Sequence, residues 1–263
     1  MPFTFAHPSV VIFSKSKKIN LGGLILGSMA PDFIYFLLFS PSSNLGHTLI
    51  GFIFLNLPIC FLINFLFYKY IKDFFILTLP NFISKKYLYL IKNKNEVTNI
   101  KKSIVFSYSC IIGMLTHVFW DSFTHETGLF VENIGLLRSE ITLVGHNIPI
   151  FKLLQHGSTL IGFLILFIFL YIIRDKNPKT SNISINKFNF LISVFIIQII
   201  TLILSYIFSV NIKGYFGIGQ LVVTYINGLF LGYLFTGIRH SLCRETKSSV
   251  CSTNARTTRR RKW

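Results

Sequence analysis

Residues 103–125 read SIVFSYSCIIGMLTHVFWDSFTH, and this stretch decides the fold. It is a long apolar run that closes on three polar side chains, His117, Asp121 and His125, spaced four residues apart. At about 100° per residue these positions drift by only about 80° around a helix, so they project from one face. A histidine and a carboxylate at the end of a membrane helix are costly unless they are paired, protonated or bound to metal. The stretch therefore predicts a membrane helix with a functional cluster at its end.

The composition of the chain indicates a multi-span membrane protein. Of 263 residues, 52% are hydrophobic and only 13% are charged, whereas soluble domains carry about 25% charged residues. The formal net charge is +17, but the basic residues cluster in loops between the apolar runs. There they orient the helices and contact anionic lipid. The expected partners are therefore the lipid bilayer and anionic lipid at the basic cytoplasmic loops, and nucleic acid is not expected.

Several apolar runs are long enough to span a bilayer. They cover residues 21–39, 47–68, 103–121, 156–174, 188–209 and 220–238. A shorter run at residues 1–13 holds His7-Pro8, which predicts a short re-entrant or half-buried helix that starts at Pro8. The predicted fold is an all-α membrane bundle of about six transmembrane helices plus this N-terminal helix. Residues 1–240 are predicted to form one polytopic domain, and residues 241–263 a basic, disordered tail.

The distribution of lysine and arginine predicts the orientation of the chain. The segments expected in the cytoplasm are the turn with Lys15, Lys17 and Lys18, the loops 69–102 and 174–187, and the C-terminal tail. The segments expected outside are the connections 40–46, 123–155 and 210–219. The predicted location is the bacterial cytoplasmic membrane.

This topology places polar groups that are distant in sequence at one end of the bundle. Asp32 follows Pro31 near the outer end of the first span, and His47 and His156 open the second and fourth spans. A helix that descends from Pro8 would place His7 at the same outer level. Together with His117, Asp121 and His125, these groups are expected to converge at the extracytoplasmic end.

Three kinds of site are compatible with such a cluster. Imidazole and carboxylate are the usual ligands of zinc and related divalent ions, and the residues suffice for one ion or a pair. A hydrogen-bonded structural network, in which His117 pairs with Asp121 and His47 caps a helix, is the second. A proton relay without metal is the third.

Five blocks of sequence resemble, in order, the signature of the domain of unknown function 4184 family of bacterial integral membrane proteins. The blocks are MPFTFAHP at 1–8, GSMAPDFIYF at 27–36, GHT at 46–48, THVFWDSFTH at 116–125 and KLLQHGS at 152–158. The resemblance covers residues 1–240 and leaves out the basic tail. More distantly, the order His, Pro-Asp, His and His-x-x-x-Asp is similar to membrane-bound metal-dependent hydrolases. That similarity implies a metal role for His7, Asp32, His47, His117 and Asp121.

These observations favour a metal-dependent hydrolase that holds a divalent ion such as zinc at the extracytoplasmic face. A lipid or envelope phosphoester is the expected substrate class, because the site would open at the lipid–water boundary. His125, His156 or Glu126 would serve as the general base or as a partner of a ligand. The alternatives are a proton-coupled transporter, with Asp32 and Asp121 as titrating groups, and a non-catalytic membrane scaffold.

Overall fold

The fold is described by a computed structural model that covers residues 3–14, 16–41, 44–92, 97–143, 145–178 and 185–260. Within these ranges the chain is almost entirely helical, and six helices are long and apolar enough to cross a membrane. The predicted all-α membrane class and the number of spans are therefore confirmed. The helices are α1 (Leu21–Leu38), α2 (Leu49–Thr78), α3 (Ile100–Asp121), α4 (Ile150–Ile173), α5 (Lys187–Lys213) and α6 (Ile218–Arg260).

Shorter elements lie between the long helices. They are a 3-10 helix Thr4–Val10, a 3-10 turn Leu45–His47, the helix Asn81–Tyr87, a 3-10 helix Leu88–Lys92, the helices Leu129–Asn133 and Gly135–Arg138, and the strands β1 (Glu140–Leu143) and β2 (His146–Pro149). The two strands pair antiparallel, with Glu140 opposite Pro149 and Leu143 opposite His146. Gly145 in their turn has a φ of 78°, a left-handed conformation that glycine adopts without strain.

Side chains at the first turn fix where four of the long helices begin. Asn20, Thr48, Asn99 and Asn186 each accept a hydrogen bond from the backbone N–H three residues ahead, as N-cap residues do. Thr48 is thus the cap of α2. The interpretation of His47 as a helix cap is wrong, because a hydroxyl takes that role and leaves the imidazole available.

The N-terminal 3-10 helix begins at Thr4, so the prediction that it starts at Pro8 is wrong. The Ala6 N–H donates to the Phe3 carbonyl at 2.7 Å, which closes the first turn ahead of the proline. Ala6 and His7 are buried, while Val10 is exposed. The helix is therefore half-buried, as predicted.

Two spanning helices contain irregular turns. In α1, Pro31 lies in a 3-10 turn, Ala30–Asp32, which joins the α-helical segments Leu21–Met29 and Phe33–Leu38. A proline removes one backbone donor, which explains the interruption that the sequence predicted. In α2, π-helical turns cover Phe52–Asn56 and Phe67–Ile71, and such turns are frequent at functional sites.

Contacts divide the chain into two compact units. The first contains residues 1–65 and 95–174, and the second contains residues 66–94 and 175–263. The prediction of one domain over residues 1–240 is not tested by this division and stays a prediction.

In the first unit, α1 and α3 pack backbone to backbone. A Cβ atom on Gly27 would lie 2.1 Å from the Cys110 carbonyl oxygen, and one on Gly113 would lie 2.5 Å from the Leu24 carbonyl oxygen. Only glycine permits this approach, as in other close helix pairs in membranes. Phe106 and Met114 of α3 are fully buried in the adjoining core.

In the second unit, α5 and α6 pack against the end of α2 through a core of Phe74, Phe190 and Val194. The predicted loop 69–102 is wrong over most of its length, because α2 continues to Thr78 and the helical segments 81–92 follow. Its lysines suggested a loop, but no proline or glycine occurs between residues 69 and 79 to end the helix. One of them, Lys72, is buried and donates to the Leu90 carbonyl at 2.7 Å.

Two further boundaries differ from the sequence prediction. The helix α4 begins at Ile150, directly after β2, and not at His156. No proline or glycine lies between Ile150 and His156 to delay its start. The helix α6 ends at Arg260 and not near residue 238, and the disorder of the tail stays a prediction. Residues 239–260 contain no proline or glycine that would end a helix. Residues 261–263 lie outside the described part of the chain.

Candidate metal centre

Four elements of the first unit contribute to a buried cluster of imidazoles and carboxylates. His7 comes from the N-terminal 3-10 helix and Asp32 from the 3-10 turn in α1. His47 comes from the turn before α2, and His117 and Asp121 come from the last two turns of α3. The structure therefore brings together all five residues that the sequence predicted as metal ligands. Their role as ligands stays a prediction.

Close backbone contact places His47 beside Asp32. A Cβ atom on Gly46 would lie 2.1 Å from the Pro31 carbonyl oxygen, so the turn rests directly on the 3-10 turn of α1. The side-chain amide of Asn56, in the first π-helical turn of α2, donates to the Gly46 carbonyl at 2.7 Å. The irregular turn of α2 thus holds the segment that carries His47.

Four ligand-type atoms form a closed ring in which nitrogen and oxygen alternate. The Nε2 atom of His117 lies 3.2 Å from Asp121 Oδ2 and 3.6 Å from Asp32 Oδ1. The Nε2 atom of His47 lies 3.5 Å from Asp121 Oδ2 and 3.7 Å from Asp32 Oδ1. Two ligands of one tetrahedral zinc ion are separated by about 3.3–3.6 Å when the metal–ligand bonds are about 2.0–2.2 Å. The four adjacent distances, 3.2–3.7 Å, are close to this separation.

His7 adds a fifth group beside this ring. Its Nε2 atom lies 3.6 Å from Asp121 Oδ1, the oxygen that the ring does not use. Its ring stacks on that of His117, with the centroids 3.8 Å apart. His7, His117 and Asp121 form one group of possible ligands, and Asp32, His47 and His117 form another, with all ligand atoms of a group within 4.8 Å. Since the groups share His117, the geometry favours one ion, with His7 as an additional ligand or as the start of a second site.

Hydrogen bonds orient the side chains of His117 and Asp32 through the atoms that do not belong to the ring. The Nδ1 atom of His117 is 2.8 Å from the Ser28 carbonyl oxygen, which requires Nδ1 to donate and leaves the lone pair of Nε2 toward the carboxylates. The hydroxyl of Thr4 donates to Asp32 Oδ2 at 2.6 Å, and the other oxygen, Oδ1, points to the histidines. Supporting contacts of this kind are typical of metal ligands.

The inward-facing atoms of the cluster lack hydrogen-bond partners. Among the described residues, the buried side-chain atoms in this condition include His7 Nε2, Asp32 Oδ1, both ring nitrogens of His47, His117 Nε2, both carboxylate oxygens of Asp121 and His125 Nε2. Buried polar atoms are nearly always satisfied, because leaving one unpaired costs about 1–3 kcal/mol. This concentration of unpaired nitrogen and oxygen atoms in one buried cluster favours a bound ligand between the side chains that face one another.

His7 and His125, which lie outside the spans, favour their neutral forms. Burial, together with the neighbouring charge of His117, lowers the pKa of His7 to about 3. Burial also lowers the pKa of His125. Neutral imidazole is the form that binds a metal ion or accepts a proton.

Of the predicted catalytic residues, the structure brings only His125 to the cluster. Its Nδ1 atom lies 3.0 Å from the Asp121 backbone carbonyl and 3.7 Å from Asp121 Oδ2. Glu126 is exposed in the turn after α3, and His156 is exposed on α4. No ion pair or hydrogen bond in the described part of the chain joins either of these side chains to the cluster.

The sequence interpretation assigned no role to Thr4, Ser28 or Asn56. Thr4 belongs to the same opening block as His7, so its position next to a predicted ligand was the available signal. Asn56 is a fully buried amide inside an apolar run, which indicates a specific partner. The contact of Ser28 uses its backbone carbonyl, and no side-chain pattern indicates such a contact.

Comparison with known proteins identifies a family for the chain but no individual relative. A family model described as "Domain of unknown function (DUF4184)" matches residues 1–238. The match includes every residue of the cluster and ends before the basic C-terminal segment. No curated protein and no solved structure matches the chain.

Proposed function

From the premise that this chain belongs to the domain of unknown function 4184 family, we propose that it is a membrane-embedded metal-dependent hydrolase. The ion is divalent, and zinc fits the mixture of imidazole and carboxylate ligands. The observation that carries the proposal is the convergence of unpaired, buried nitrogen and oxygen atoms from four separate elements.

The roles of the residues follow from their contacts. Asp32, His47, His117 and Asp121 hold the ion, and His7 binds beside them at the free oxygen of Asp121. Zinc held by these residues would polarise a substrate oxygen and lower the pKa of a coordinated water to about 7. The neutral ring of His125, with its buried Nε2 atom unpaired, accepts the proton of the attacking water.

The position of the cluster supports a lipid or envelope phosphoester as substrate. Asp121 is the last residue of α3, and His47 lies two residues before α2 begins. The cluster therefore lies at the ends of membrane helices, where the headgroup of a lipid meets water. The distribution of basic residues favours the extracytoplasmic face of a bacterial cytoplasmic membrane, with the C-terminal segment in the cytoplasm.

The two alternatives have less support from the structure. A scaffold would satisfy all of its own polar atoms, whereas several buried nitrogen and oxygen atoms of this cluster lack hydrogen-bond partners. A proton-coupled transporter would need polar groups along the other helices. In the second unit, such groups pair with one another: Ser205 with Thr224 at 3.0 Å, and Gln220 with Ser209 at 2.7 Å. These hydrogen bonds join α5 to α6, and they do not indicate a polar pathway for protons.

A phosphate-release assay tests the proposal. Detergent-purified protein is loaded with zinc or manganese and given phosphatidic acid and a polyprenyl monophosphate in mixed micelles. We expect release of inorganic phosphate that a chelator abolishes and added metal restores, and that Asp121→Asn loses. Metal-loaded protein that releases no phosphate from either lipid would contradict hydrolysis of a lipid phosphoester.

A further inference from the structure

An apolar groove of about 280 Å³ lies beside the candidate metal centre in the first unit. The N-terminal 3-10 helix, the last turn of α3 and the first half of α4 form its walls. Ala6 and Val10 line it from the 3-10 helix, Trp120 lines it from α3, and Leu153 and Ile161 line it from α4.

One of the residues that line the groove belongs to the candidate metal centre. His7 lines the groove and is almost fully buried, and its Nε2 atom is 3.6 Å from Asp121 Oδ1. Trp120 is the immediate neighbour of Asp121 in the chain. A molecule in the groove would therefore end beside the groups that hold the ion.

The other side of the groove opens on the surface that faces lipid. Val10 is 62% exposed and Ile161 is 59% exposed, although both line the groove. The neighbouring surface of α4 is apolar as well, with Leu160, Leu164 and Phe167 exposed. In a chain that spans a membrane, these side chains contact hydrocarbon, so the groove is continuous with the lipid phase.

The lining selects for a hydrocarbon chain. Apart from His7, no charged or titratable side chain lines the groove. Ser158 donates its hydroxyl to the Gln155 carbonyl at 3.1 Å within its own helix. The other polar groups of the lining are the Ser9 hydroxyl and the Trp120 indole N–H. A peptide or a sugar would therefore bury most of its polar groups without partners, at a cost of about 1–3 kcal/mol for each group. A hydrocarbon chain has no such groups.

We propose that this groove binds the hydrocarbon chain of a lipid phosphoester and places its phosphate at the His7 end. The inference rests on the proposed function, because the metal centre is what receives the phosphate. It narrows the substrate to a lipid that enters sideways from the membrane. It also excludes water-soluble phosphoesters as efficient substrates.

Gly157 offers a way to close the groove without disturbing the fold. It lines the groove on α4, and a Cβ atom added there would have no neighbouring atom within 4 Å. A phenylalanine at this position would therefore fill the groove. Leu160 provides the matched control, because it lies on the same helix and is 73% exposed but does not line the groove.

Trp120 reports occupancy of the groove directly. The chain has two tryptophans, so Trp263→Phe leaves Trp120 as the single indole. Phosphatidic acid with brominated acyl chains, which quench indole fluorescence on contact, is titrated into the detergent-purified, chelator-treated single-tryptophan protein. We expect saturable quenching of Trp120, weakened at least tenfold by Gly157→Phe and unchanged by Leu160→Phe. Gly157→Leu should show the same loss and replaces Gly157→Phe if that variant does not purify as a monodisperse species.

The removal of metal separates this inference from the proposed function. The hydrocarbon chain binds without the ion, so saturable quenching is expected even if the loaded protein releases no phosphate. Quenching that does not saturate, or that is equal in the Gly157 and Leu160 variants, would overturn the groove assignment even if hydrolysis is observed.

Discussion

His117 is the most constrained side chain of the candidate site. It is fully buried, its ring stacks on His7, and its Nδ1 atom contacts the Ser28 carbonyl at 2.8 Å. Of its two ring nitrogens, only Nε2 remains to bind an ion, and it lies between the carboxylates of Asp32 and Asp121. A ligand held in this way needs no rearrangement to bind an ion, and such preorganisation raises affinity.

Thr4→Val tests the contribution of the contact behind Asp32. The substitution keeps the shape of the side chain and removes the hydroxyl that donates to Asp32 Oδ2. Loss of such a supporting contact typically costs 10–100-fold in metal affinity. We expect a fall of that size in chelator competition, with the fold retained. Thr116→Val is the control, since that hydroxyl donates only to the Gly113 carbonyl, and an equal fall there would refute a specific role for Thr4.

His125→Gln tests the proton acceptor. We expect phosphate release to fall by about 10²–10⁴-fold, the range for loss of a general base, while bound metal stays at the wild-type level. His156→Gln should change neither quantity, because His156 is exposed away from the cluster. Loss of metal in His125→Gln would make His125 a ligand and not the base.

At the scale of residues, the sequence could predict which groups gather but not how each is held. Helical spacing placed His117, Asp121 and His125 on one face, and charge-based topology added Asp32 and His47. The contact of Thr4 with Asp32 joins residues 28 positions apart through a 3-10 helix. It follows from tertiary packing that a single sequence does not specify. His156 is exposed on α4, which its position at the start of a predicted span does not indicate.

The packing of α1 against α3 is the element-scale basis of the site. The two helices approach closely enough at Gly27 that a Cβ atom would lie 2.1 Å from the Cys110 carbonyl oxygen. That approach brings the Ser28 carbonyl to His117. The site thus depends on a backbone contact one or more turns away from its ligands.

Gly27→Ala should therefore damage both stability and metal binding. The added methyl group must push α1 from α3, and overpacking of this kind costs about 1–3 kcal/mol. A thermal melt in detergent should show a lower Tm, and metal content should fall with it. Gly135→Ala is the control, because nothing lies within 4 Å of a Cβ atom there. An unchanged Tm in Gly27→Ala would show that the helices are not in this contact.

Elements defined by local apolar patterns were predictable, and those defined by tertiary contacts were not. The spans α1, α3 and α5 were predicted within a few residues because their apolar runs have clear limits. The extension of α2 past Tyr68 was missed because Lys69 and Lys72 resemble loop residues. In the structure, Lys72 instead donates to a carbonyl of a following helical segment. The β1–β2 hairpin is too short to produce a clear alternating pattern.

At the scale of the whole molecule, the membrane sets the orientation of the site. The structure contains six helices of spanning length in its described part, and the direction in which they cross is a prediction from the basic residues. An even number of crossings places both ends of the six-helix segment on one side.

Cysteine labelling tests this orientation. Ser139 is exposed between the short helices and β1, and Asn177 is exposed after α4. In intact cells, with the native cysteines replaced, Ser139→Cys should react with a membrane-impermeant maleimide. Asn177→Cys should react only after permeabilisation. The reverse pattern would place the cluster at the cytoplasmic face.

The metal content of the detergent-purified protein, determined by mass spectrometry, decides whether the cluster is a metal centre. Wild type is compared with His117→Ala, Asp121→Ala and the exposed-histidine control His156→Ala, each shown to be folded by its elution and melting profile. We expect one equivalent of zinc or manganese in wild type and His156→Ala, and its loss in the other two variants. Wild-type protein that remains without metal after purification with added zinc and manganese would contradict a metal centre.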